Sequence, residues 1–538
     1  MQRILRRGIV VAALLTTITP ALSGPSMGAP VAPAPVDPVA GSAGADWLAG
    51  QLTDGLVHND QYVFDDYGLT IDVALGLAAV GGQDARVATV AGAVADHVDS
   101  YTTGVDYGSS DVYAGATAKA LHLAEVAGAD PTAFGGADLV ARLEGLTSDS
   151  GPSAGRITDQ SEYGDYANTI GQAFAASGLE AAGSTEAAAA TTYLLDQQCA
   201  AGWFRLLFTT DATAADQSCD GGVASGASKA DPDTTSLALI LLADQADDPT
   251  VASALARAEA WLLAQQHDDG SFGGGTSTEG SNSNSTGLAG WALGVRGHTA
   301  EAERAAVWVR GLQAADTAPC TTALTGETGA IAYDAAAFET GRTEGITDGT
   351  ADQWRRASAQ ALPVLRWAPA ATGSYGVSGP TGFVRAGTTV ALDVTGLPPA
   401  ADACLSSGSG KQALTGTGAT LRRVVKLPAG TARRTFTLAS PAGTDRATLR
   451  VLGGLRIPLT LSDRTPKHGT RQYVIAHGLA AHETVTVSYR GHVVARGTAG
   501  STGRFRGYFR AGPAGTRTLK VTGRFPAIRH ATTSLRVG

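Results

Sequence analysis

The stretches YLLDQQCAAGWF (193–204) and WLLAQQHDDGSF (261–272) decide the fold of this chain of 538 residues. In both, an aromatic residue and Leu come first, Gln follows four residues after that Leu, Gly four later and an aromatic residue two further on. Identical spacing at every matched position indicates an internal repeat, and repeats of this length are typical of stacked helix pairs. We expect the Gly to end a helix and the final aromatic residue to pack back beneath it.

Two kinds of helix alternate along residues 43–370. Six segments are apolar on nearly all sides, as buried helices are: 67–80, 112–127, 166–178, 234–246, 286–295 and 329–338. Six others are amphipathic and charged, and a last segment at 352–367 would close the set: 45–52, 84–101, 137–146, 186–198, 251–266 and 300–313. Because each element must bury its apolar face, we predict an inner ring of helices wrapped by an outer ring.

The repeat resembles that of squalene cyclases and of protein prenyltransferase β subunits, whose fold is an (α/α)6 toroid. The resemblance spans residues 43–370. It is partial around Trp47-Leu48 with Gly55 and around Trp308-Val309 with Gln313, and it is absent from repeats two and three. The segment is also similar to cobalamin-carrier toroids, whose inner helices open with Asp-Thr, as at Asp233-Thr234.

The ends of the chain differ from this helical region. Arg3, Arg6 and Arg7 precede an apolar run with a small-residue cleavage site, which predicts a signal peptide at 1–23, with an uncleaved membrane anchor as the alternative. A Pro-rich linker is predicted at 24–42. Beyond residue 373, two similar β-prone stretches, 373–453 and 455–538, resemble bacterial immunoglobulin-like sandwiches. The predicted fold class is thus multidomain: a toroid followed by two small all-β modules.

Charge is divided unevenly along the chain. The whole chain has 40 Lys and Arg against 49 Asp and Glu, but residues beyond 370 have 23 against 5, or +18, which leaves −27 for the rest. The basic modules could contact an anionic cell-wall polymer, or their Arg residues could simply be solvated on a β surface. No nucleic-acid motif accompanies the charge. We expect a secreted protein that associates with the cell wall non-covalently, if at all.

Four cysteines in an exported chain favour disulfides over metal sites. Cys199 and Cys219 bracket one loop, so we pair them, and Cys320 and Cys404 are then left to join the helical and β regions. Four cysteines allow three connectivities, and the others stay open. We expect no metal and no cofactor, because no Cys follows an Asp at the spacing that the zinc site of the prenyltransferases would need.

The most suggestive chemical motif is Asp231-Pro232-Asp233-Thr234-Thr235. It resembles the Asp-x-Asp-Asp-Thr motif of class II terpenoid cyclases, which implies Asp233 as the general acid and Asp231 as its neighbour. Thr234 stands where that family has a further Asp. The alternative is that these residues are an ordinary helix start, because Asp favours the N-cap and Pro the first turn.

Polar residues also recur where the inner helices begin. In a toroid these starts converge on one face and form a cup that suits a small hydrophobic or amphipathic ligand. The candidate ligand-binding residues are Tyr67, Asp111, Tyr113, Asp165, Tyr166, Trp291, Glu327 and Tyr333. The loop 273–285 is expected on that face, either as a mobile lid over the cup or as an ordinary connecting loop. We expect this cup to bind a small ligand or a cell-surface partner rather than to catalyse a reaction, and the alternative is a terpenoid-cyclase-like or prenyl-processing enzyme that uses Asp233 as general acid.

Overall fold

The structure is a computed structural model that describes residues 35–276, 278–454 and 456–538. The predicted signal peptide and residues 24–34 of the predicted linker lie outside the described residues. Residues 38–42, which we assigned to the linker, instead form the start of a helix, Pro38–Gly50. The side chain of Asp37 accepts a hydrogen bond from the Val39 amide, and Pro38 favours the first helical position, so the chain enters the helix earlier than predicted.

Fifteen α-helices are present in the described residues, and all of them belong to the N-terminal region, before residue 370. In chain order they are α1 Pro38–Gly50, α2 Tyr67–Val80, α3 Asp84–Ala95, α4 Val98–Thr102, α5 Ala114–Val126, α6 Leu139–Glu144, α7 Thr169–Ala181, α8 Ala187–Asp196, α9 Cys219–Val223, α10 Pro232–Leu241, α11 Pro249–Leu263, α12 Ser283–Val295, α13 Thr299–Arg310, α14 Ala335–Glu344 and α15 Asp348–Ala361. A 3-10 helix, Leu362–Trp367, follows α15.

Six of these helices close an inner ring. Helices α2, α5, α7, α10, α12 and α15 each pack against the next, and α15 packs against α2. Helices α1, α3, α6, α8, α11 and α13 pack against the outside of that ring. The predicted arrangement of two concentric rings, a toroid, is therefore confirmed for the helical region.

The sixth inner helix differs from our prediction. We expected residues 329–338 to supply it, but α15 takes that place, between α12 and α2. The amphipathic pattern of α15 suggested an outer position because it includes Arg355 and Arg356. These side chains are instead paired within the ring, since Arg355 Nη1 donates to the carbonyl oxygen of His58 at 2.7 Å and Arg356 contacts Asp66.

The repeated Gln ties each turn to the next outer helix. Gln198 Nε2 donates to the carbonyl oxygens of Gly202 at 2.9 Å and of Ala254, on α11, at 2.8 Å. Gln266 makes the same two bonds, to Gly270 at 3.1 Å and to Glu301, on α13, at 2.9 Å. Each repeat is thus stapled to its successor. The bond from Gln313 Nε2 to Ala40, on α1, at 2.9 Å joins the last repeat to the first.

The repeated Gly allows a close approach between neighbouring repeats. Gly202 and Gly270 have φ angles of 103° and 92°, and a Cβ at either position would lie 2.5 Å from the carbonyl oxygen of Arg257 or Arg304 on the next outer helix. Only Gly fits there. Our prediction that each Gly ends its helix was wrong. Helix α8 ends at Asp196 and α11 at Leu263, several residues before the Gly.

The aromatic residue that follows each Gly connects the turn to the inner ring. The amide of Phe204 donates to Thr235 Oγ1 on α10 at 3.0 Å, and the amide of Phe272 donates to Thr286 Oγ1 on α12 at 2.9 Å. Both rings are buried, as predicted. The same link, from Ile331 to Ser358 Oγ at 2.8 Å, shows again that α15 is an inner helix.

The third repeat makes equivalent bonds with a residue from another element. Gln172 lies on the inner helix α7, and its Nε2 donates to the carbonyl oxygens of Gly155 at 2.8 Å and of Ala190 at 3.0 Å. Its Oε1 accepts from the amide of Ile157 at 2.9 Å. The repeat motif could not be recognised in this part of the sequence, because the Gln that makes these hydrogen bonds lies on the inner helix rather than at the end of the outer helix.

The C-terminal region is rich in β-structure. After three short strands in the helical region, fifteen strands follow residue 370. In chain order the strands are β1 Leu52–Thr53, β2 Leu56–Asn59, β3 Phe64–Asp65, β4 Gly376–Ser378, β5 Phe383–Arg385, β6 Thr389–Thr395, β7 Asp402–Ser407, β8 Gly410–Thr415, β9 Leu421–Lys426, β10 Ala432–Ser440, β11 Gly443–Leu452, β12 Leu459–Leu461, β13 Arg471–Ala476, β14 Thr484–Tyr489, β15 His492–Thr498, β16 Phe505–Arg510, β17 Gly515–Thr522 and β18 His530–Val537.

These later strands form four sheets around two separate apolar cores. The first core lies between the sheets β4-β6-β9 and β5-β11-β10-β7-β8, and the second between β12-β13-β16 and β15-β14-β17-β18. Each core is thus enclosed by a pair of sheets, as expected for a sandwich. The immunoglobulin-like resemblance of these modules and the exact domain boundaries stay predictions.

Both predicted disulfides are present. Cys199–Cys219 has an S–S distance of 2.04 Å and closes the loop after α8, and Cys320–Cys404 joins the helical region to β7 at 2.02 Å. Beside the second disulfide, Arg342 Nη1 lies 3.5 Å from Asp402 Oδ2, across the same junction. Within the described residues, none of the helices is both long and apolar enough to span a bilayer.

Candidate functional site

The inner ring encloses a cavity of about 700 Å³. All six inner helices contribute to its wall, which consists mainly of Ala, Gly, Leu and Ile side chains together with the rings of Phe174 and Trp291. Such a wall follows from the sequence, because helices that are apolar on all sides expose apolar side chains to the lumen as well as to the outer ring. The cavity lies within the size range of small-molecule sites.

One charged pair interrupts this apolar wall. Lys119 Nζ, on α5, lies 2.6 Å from Asp72 Oδ1, on α2, and donates to the carbonyl oxygen of Gly68 at 3.0 Å. Their side chains are 17% and 21% exposed. Burial alone lowers the pKa of Lys119, but the carboxylate of Asp72 outweighs it, so the pKa is raised and the ammonium stays charged.

A second polar pair lies one helical turn further along α5. Burial lowers the pKa of His122 to about 4 and raises the pKa of Glu125 to about 7. His122 Nδ1 lies 3.9 Å from Glu125 Oε2, and neither that nitrogen nor Glu125 Oε1 has a hydrogen-bond partner. The His122 ring lines the cavity and contacts Phe174 at a centroid distance of 5.4 Å. Asp244 lines the wall nearby.

Asp231 and Asp233 lie outside this cavity, at the start of α10 and beneath the loop 273–285. Asp231 is the N-cap: its Oδ1 accepts from the Thr234 amide at 2.9 Å, and its Oδ2 accepts from the Thr276 amide at 2.8 Å. Asp233 Oδ2 accepts from Thr278 Oγ1 at 2.6 Å, while its Oδ1 is buried and has no hydrogen-bond partner among the residues that the structure describes. Burial raises the pKa of Asp233, and Thr278 opposes this shift. The loop thus covers both carboxylates.

Three of the predicted ligand-binding residues line the cavity. Trp291 lies in its wall, and Tyr113 and Tyr166 lie beside Asp159 near the starts of α5 and α7. Asp159 Oδ1 accepts from the Ala114 amide at 2.7 Å and its Oδ2 from the Tyr166 amide at 3.1 Å, so it fixes both helix starts. Tyr166 is 74% exposed, which places its ring at the solvent side.

The other predicted residues have structural contacts and do not line the cavity. Tyr67 stacks on His97, Asp111 accepts from the Glu162 amide, Asp165 pairs with Arg156, Glu327 accepts from Trp47 Nε1 at 2.7 Å, and the carbonyl of Tyr333 accepts from the Ser283 amide at 2.7 Å. We had expected them to converge with the others in one cup. They do not, because these groups instead contact other residues of the helical region.

The sequence analysis missed most polar groups of the wall: Asp72, Lys119, His122 and Asp244, and also Asp159, Asn168, Ser177 and Gln360. A signal was available for two of them. Lys119 and His122 lie three residues apart on a helix whose only other polar residues are Thr117 and Glu125, so they share one face. Among the described residues, no group of three or more His, Cys, Asp or Glu side chains is arranged to hold a metal ion.

Comparisons with known proteins find similarity only among solved structures. No family model and no curated protein matches the chain. The type II terpene cyclase MstE from Scytonema is 17% identical with a TM-score of 0.42, and the match covers 61% of this chain and 96% of that one. A structure titled "Glycosidase Wild Type" is 14% identical with a TM-score of 0.37, over 61% of this chain and 95% of that one. Similarity at this level does not bear on chemistry, and the ring described above depends on its own contacts.

Proposed function

We propose that this chain binds a small, largely apolar molecule that carries one oxygen acceptor, inside the inner ring. The observation that carries the proposal is the cavity of about 700 Å³, whose wall is apolar except for a few polar side chains. A site with this composition gains most of its affinity from apolar burial and its orientation from a few polar contacts.

Lys119 is the group that would orient the ligand. Its ammonium has three N–H donors, and two are directed to Asp72 and to the Gly68 carbonyl. The third can donate to a hydroxyl, carbonyl or carboxylate oxygen of a ligand. Phe174 and Trp291 add flat apolar surface to the same lumen.

The experiment uses the full chain, incubated with a native cell extract and then washed, with mass spectrometry of the compounds that it retains. We expect a retained amphipathic molecule with few polar atoms. The matched control is Ala116→Trp, which fills the lumen at a lining position and is expected to release that compound. Retention of the same compound by this variant would contradict the proposal, as would retention of no compound by the natural chain.

A terpenoid-cyclase-like activity at Asp233 is the second candidate. It is supported by the burial of Asp233, which raises the pKa of its carboxyl group and so favours the protonated form more than at an exposed aspartate. The contact with Thr278 and the position of Asp233 outside the cavity count against it. Turnover of an isoprenoid that is lost in Asp233→Asn, with the fold intact, would favour the enzyme over the binding protein.

We also infer that the protein functions in an oxidising compartment outside the cytoplasm. All four cysteines are paired, and one pair joins the helical region to the β region. Stable disulfides of this kind are typical of exported proteins.

A further inference from the structure

The second β region is far more basic than the rest of the chain. Residues 456–538 contain 14 Lys and Arg but only two acidic residues, Asp463 and Glu483, a net charge of +12. Glu483 is fully buried against Arg529, with Oε1 to Nε at 2.6 Å and Oε2 to Nη2 at 2.7 Å. Asp463 is engaged by the Thr465 amide at 2.8 Å. The cationic side chains of this surface are therefore almost uncompensated.

Five of its residues form an ordered array on one outer sheet face. Strands β13 and β16 pair antiparallel, with Tyr473 directly opposite Tyr508 and Arg471 directly opposite Arg510. The two Tyr rings meet edge to face at a centroid distance of 6.1 Å. Arg471 lies 4.3 Å from the centroid of the Tyr508 ring, and Arg506 lies 4.7 Å from that of Tyr473. We call Arg471, Tyr473, Arg506, Tyr508 and Arg510 the Arg–Tyr face.

The stacked rings hold the guanidinium groups in place at the surface. A guanidinium that packs flat on an aromatic ring keeps its N–H edges free for anions and loses less side-chain freedom when an anion binds. Among the described residues, no carboxylate lies within 4.0 Å of Arg471, Arg506 or Arg510. Like charges directly opposite each other destabilise a sheet, so an anion bound between Arg471 and Arg510 would relieve that repulsion.

We propose that the Arg–Tyr face binds a linear polymer whose repeating anionic groups are phosphates and which carries no nucleobases. A tetrahedral phosphate offers oxygens in several directions, so two neighbouring guanidinium groups can share it, whereas one guanidinium fork occupies both oxygens of a planar carboxylate. Base stacking is disfavoured, because Arg471 and Arg506 already lie against the Tyr rings that bases would need. This binding site is separate from the cavity of the helical region.

The opposite face of the same region supplies a matched control. It carries a shallow groove of about 550 Å³ lined by Arg490, Arg517 and Lys520. These three residues have the same total charge as Arg471, Arg506 and Arg510. They belong to the β14–β17 side of the sandwich, without a pair of Arg residues stacked on two facing Tyr rings.

The experiment measures binding of sodium polyphosphate to the full chain at a fixed salt concentration. The triple variant R471Q/R506Q/R510Q is expected to lose more than about tenfold in affinity, because it removes three charge-assisted contacts to the phosphates. The control R490Q/R517Q/K520Q is expected to lose clearly less. Equal losses would show diffuse adsorption to a basic surface and would overturn the proposal, as would the absence of polyphosphate binding by the natural chain.

Two further arms test the role of the rings and the class of polymer. Y473L/Y508L keeps every charge and is expected to weaken binding because the guanidinium groups are no longer held; unchanged affinity would contradict the array. Oligothymidylate and polygalacturonate of matched charge are expected to bind less tightly than polyphosphate. If oligothymidylate bound more tightly than polyphosphate, the face would contact bases. If polygalacturonate bound more tightly, the face would prefer a carboxylated glycan. Either result would overturn the proposal. Circular dichroism verifies that the variants fold.

Discussion

Lys119 Nζ and Asp72 Oδ1 lie 2.6 Å apart in the wall of the cavity, on two neighbouring helices of the inner ring. The pair joins α5 to α2 and also places a charged donor in a largely apolar lumen. The stability of the ring and the orientation of the proposed ligand are therefore both expected to depend on these two residues.

Lys119→Met is expected to destabilise the helical region by about 3 kcal/mol, since it leaves the carboxylate of Asp72 partly buried without a partner. The matched control is Arg86→Met, which breaks the exposed pair with Asp46 and should cost less than about 1 kcal/mol. Denaturant unfolding followed by Trp fluorescence measures both, because all seven Trp residues precede residue 370. Equal losses in the free energy of unfolding would show that the Lys119–Asp72 pair contributes no more to stability than the exposed Arg86–Asp46 pair.

His122 and Glu125 are expected to give pH dependences of opposite sign. The folded pKa of Glu125, about 7, exceeds its ordinary value of 4.5, so its contribution to stability is fully present below pH 4.5 and is lost as the pH rises through 7. The folded pKa of His122, about 4, lies below its ordinary value of 6.5, so its contribution is present above pH 6.5 and is lost as the pH falls through 4.

Two variants separate these contributions. Relative to the natural chain, Glu125→Gln should become more stable by about 3 kcal/mol as the pH rises from 4.5 to 7, and His122→Gln by a similar amount as the pH falls from 6.5 to 4. Unfolding free energies across this pH range measure both, and Glu180→Gln, at an exposed position of α7, is the control. Parallel pH profiles for all variants would contradict the burial of the two groups.

Gln266→Ala is expected to cost about 2 kcal/mol, because it leaves the carbonyl oxygens of Gly270 and Glu301 without their donor. The adjacent Gln265 is the natural comparison, since among the described residues its Nε2 donates only to the carbonyl oxygen of Trp261, four residues earlier on α11, at 3.3 Å. Gln265→Ala should cost less than about 0.5 kcal/mol. If both changes had the same effect on the free energy of unfolding, the hydrogen bonds of Gln266 would not stabilise the contact between neighbouring repeats.

Gly270→Ala should destabilise the ring more than Gly274→Ala. Both positions have nearly the same φ, 92° and 91°, so the backbone strain of an added Cβ, about 1–2 kcal/mol, is common to them. A Cβ at 270 also meets the Arg304 carbonyl oxygen at 2.5 Å, whereas nothing lies within 4 Å of a Cβ at 274. Unfolding free energies compare the two directly, and equal values would mean that the next outer helix moves away at no cost.

The toroid could be predicted because helix type and repeat spacing both follow from local sequence. Five of the six inner helices are apolar on all sides, which identified them. The sixth, α15, was missed because the pattern counts Arg355 and Arg356 as solvent-facing, whereas in the fold they bond to His58 and Asp66. These bonds close the ring between its first and last helices. They join residues about 290 positions apart, so no pattern in the local sequence indicates them.

The site was less predictable than the fold. Trp291, Tyr113 and Tyr166 were identified, but the predicted cup also included Asp165 and Glu327, which pair with Arg156 and Trp47 instead. A polar residue near a helix start has the same sequence signature whether it caps, pairs or binds. Three of the polar groups of the lumen, Asp72, Lys119 and His122, lie within inner helices, where the surrounding apolar pattern favours a core position over a ligand site.

The measurement that tests the central claim most directly is a calorimetric titration of the full chain with farnesol, a C15 alcohol with a single oxygen. The account predicts saturable binding at one site, weakened at least about tenfold by Ala116→Trp in the lumen and unaffected by Ala188→Trp on the exposed side of α8. Absence of saturable binding, or equal affinity of the natural chain and Ala116→Trp, would contradict a ligand site inside the ring.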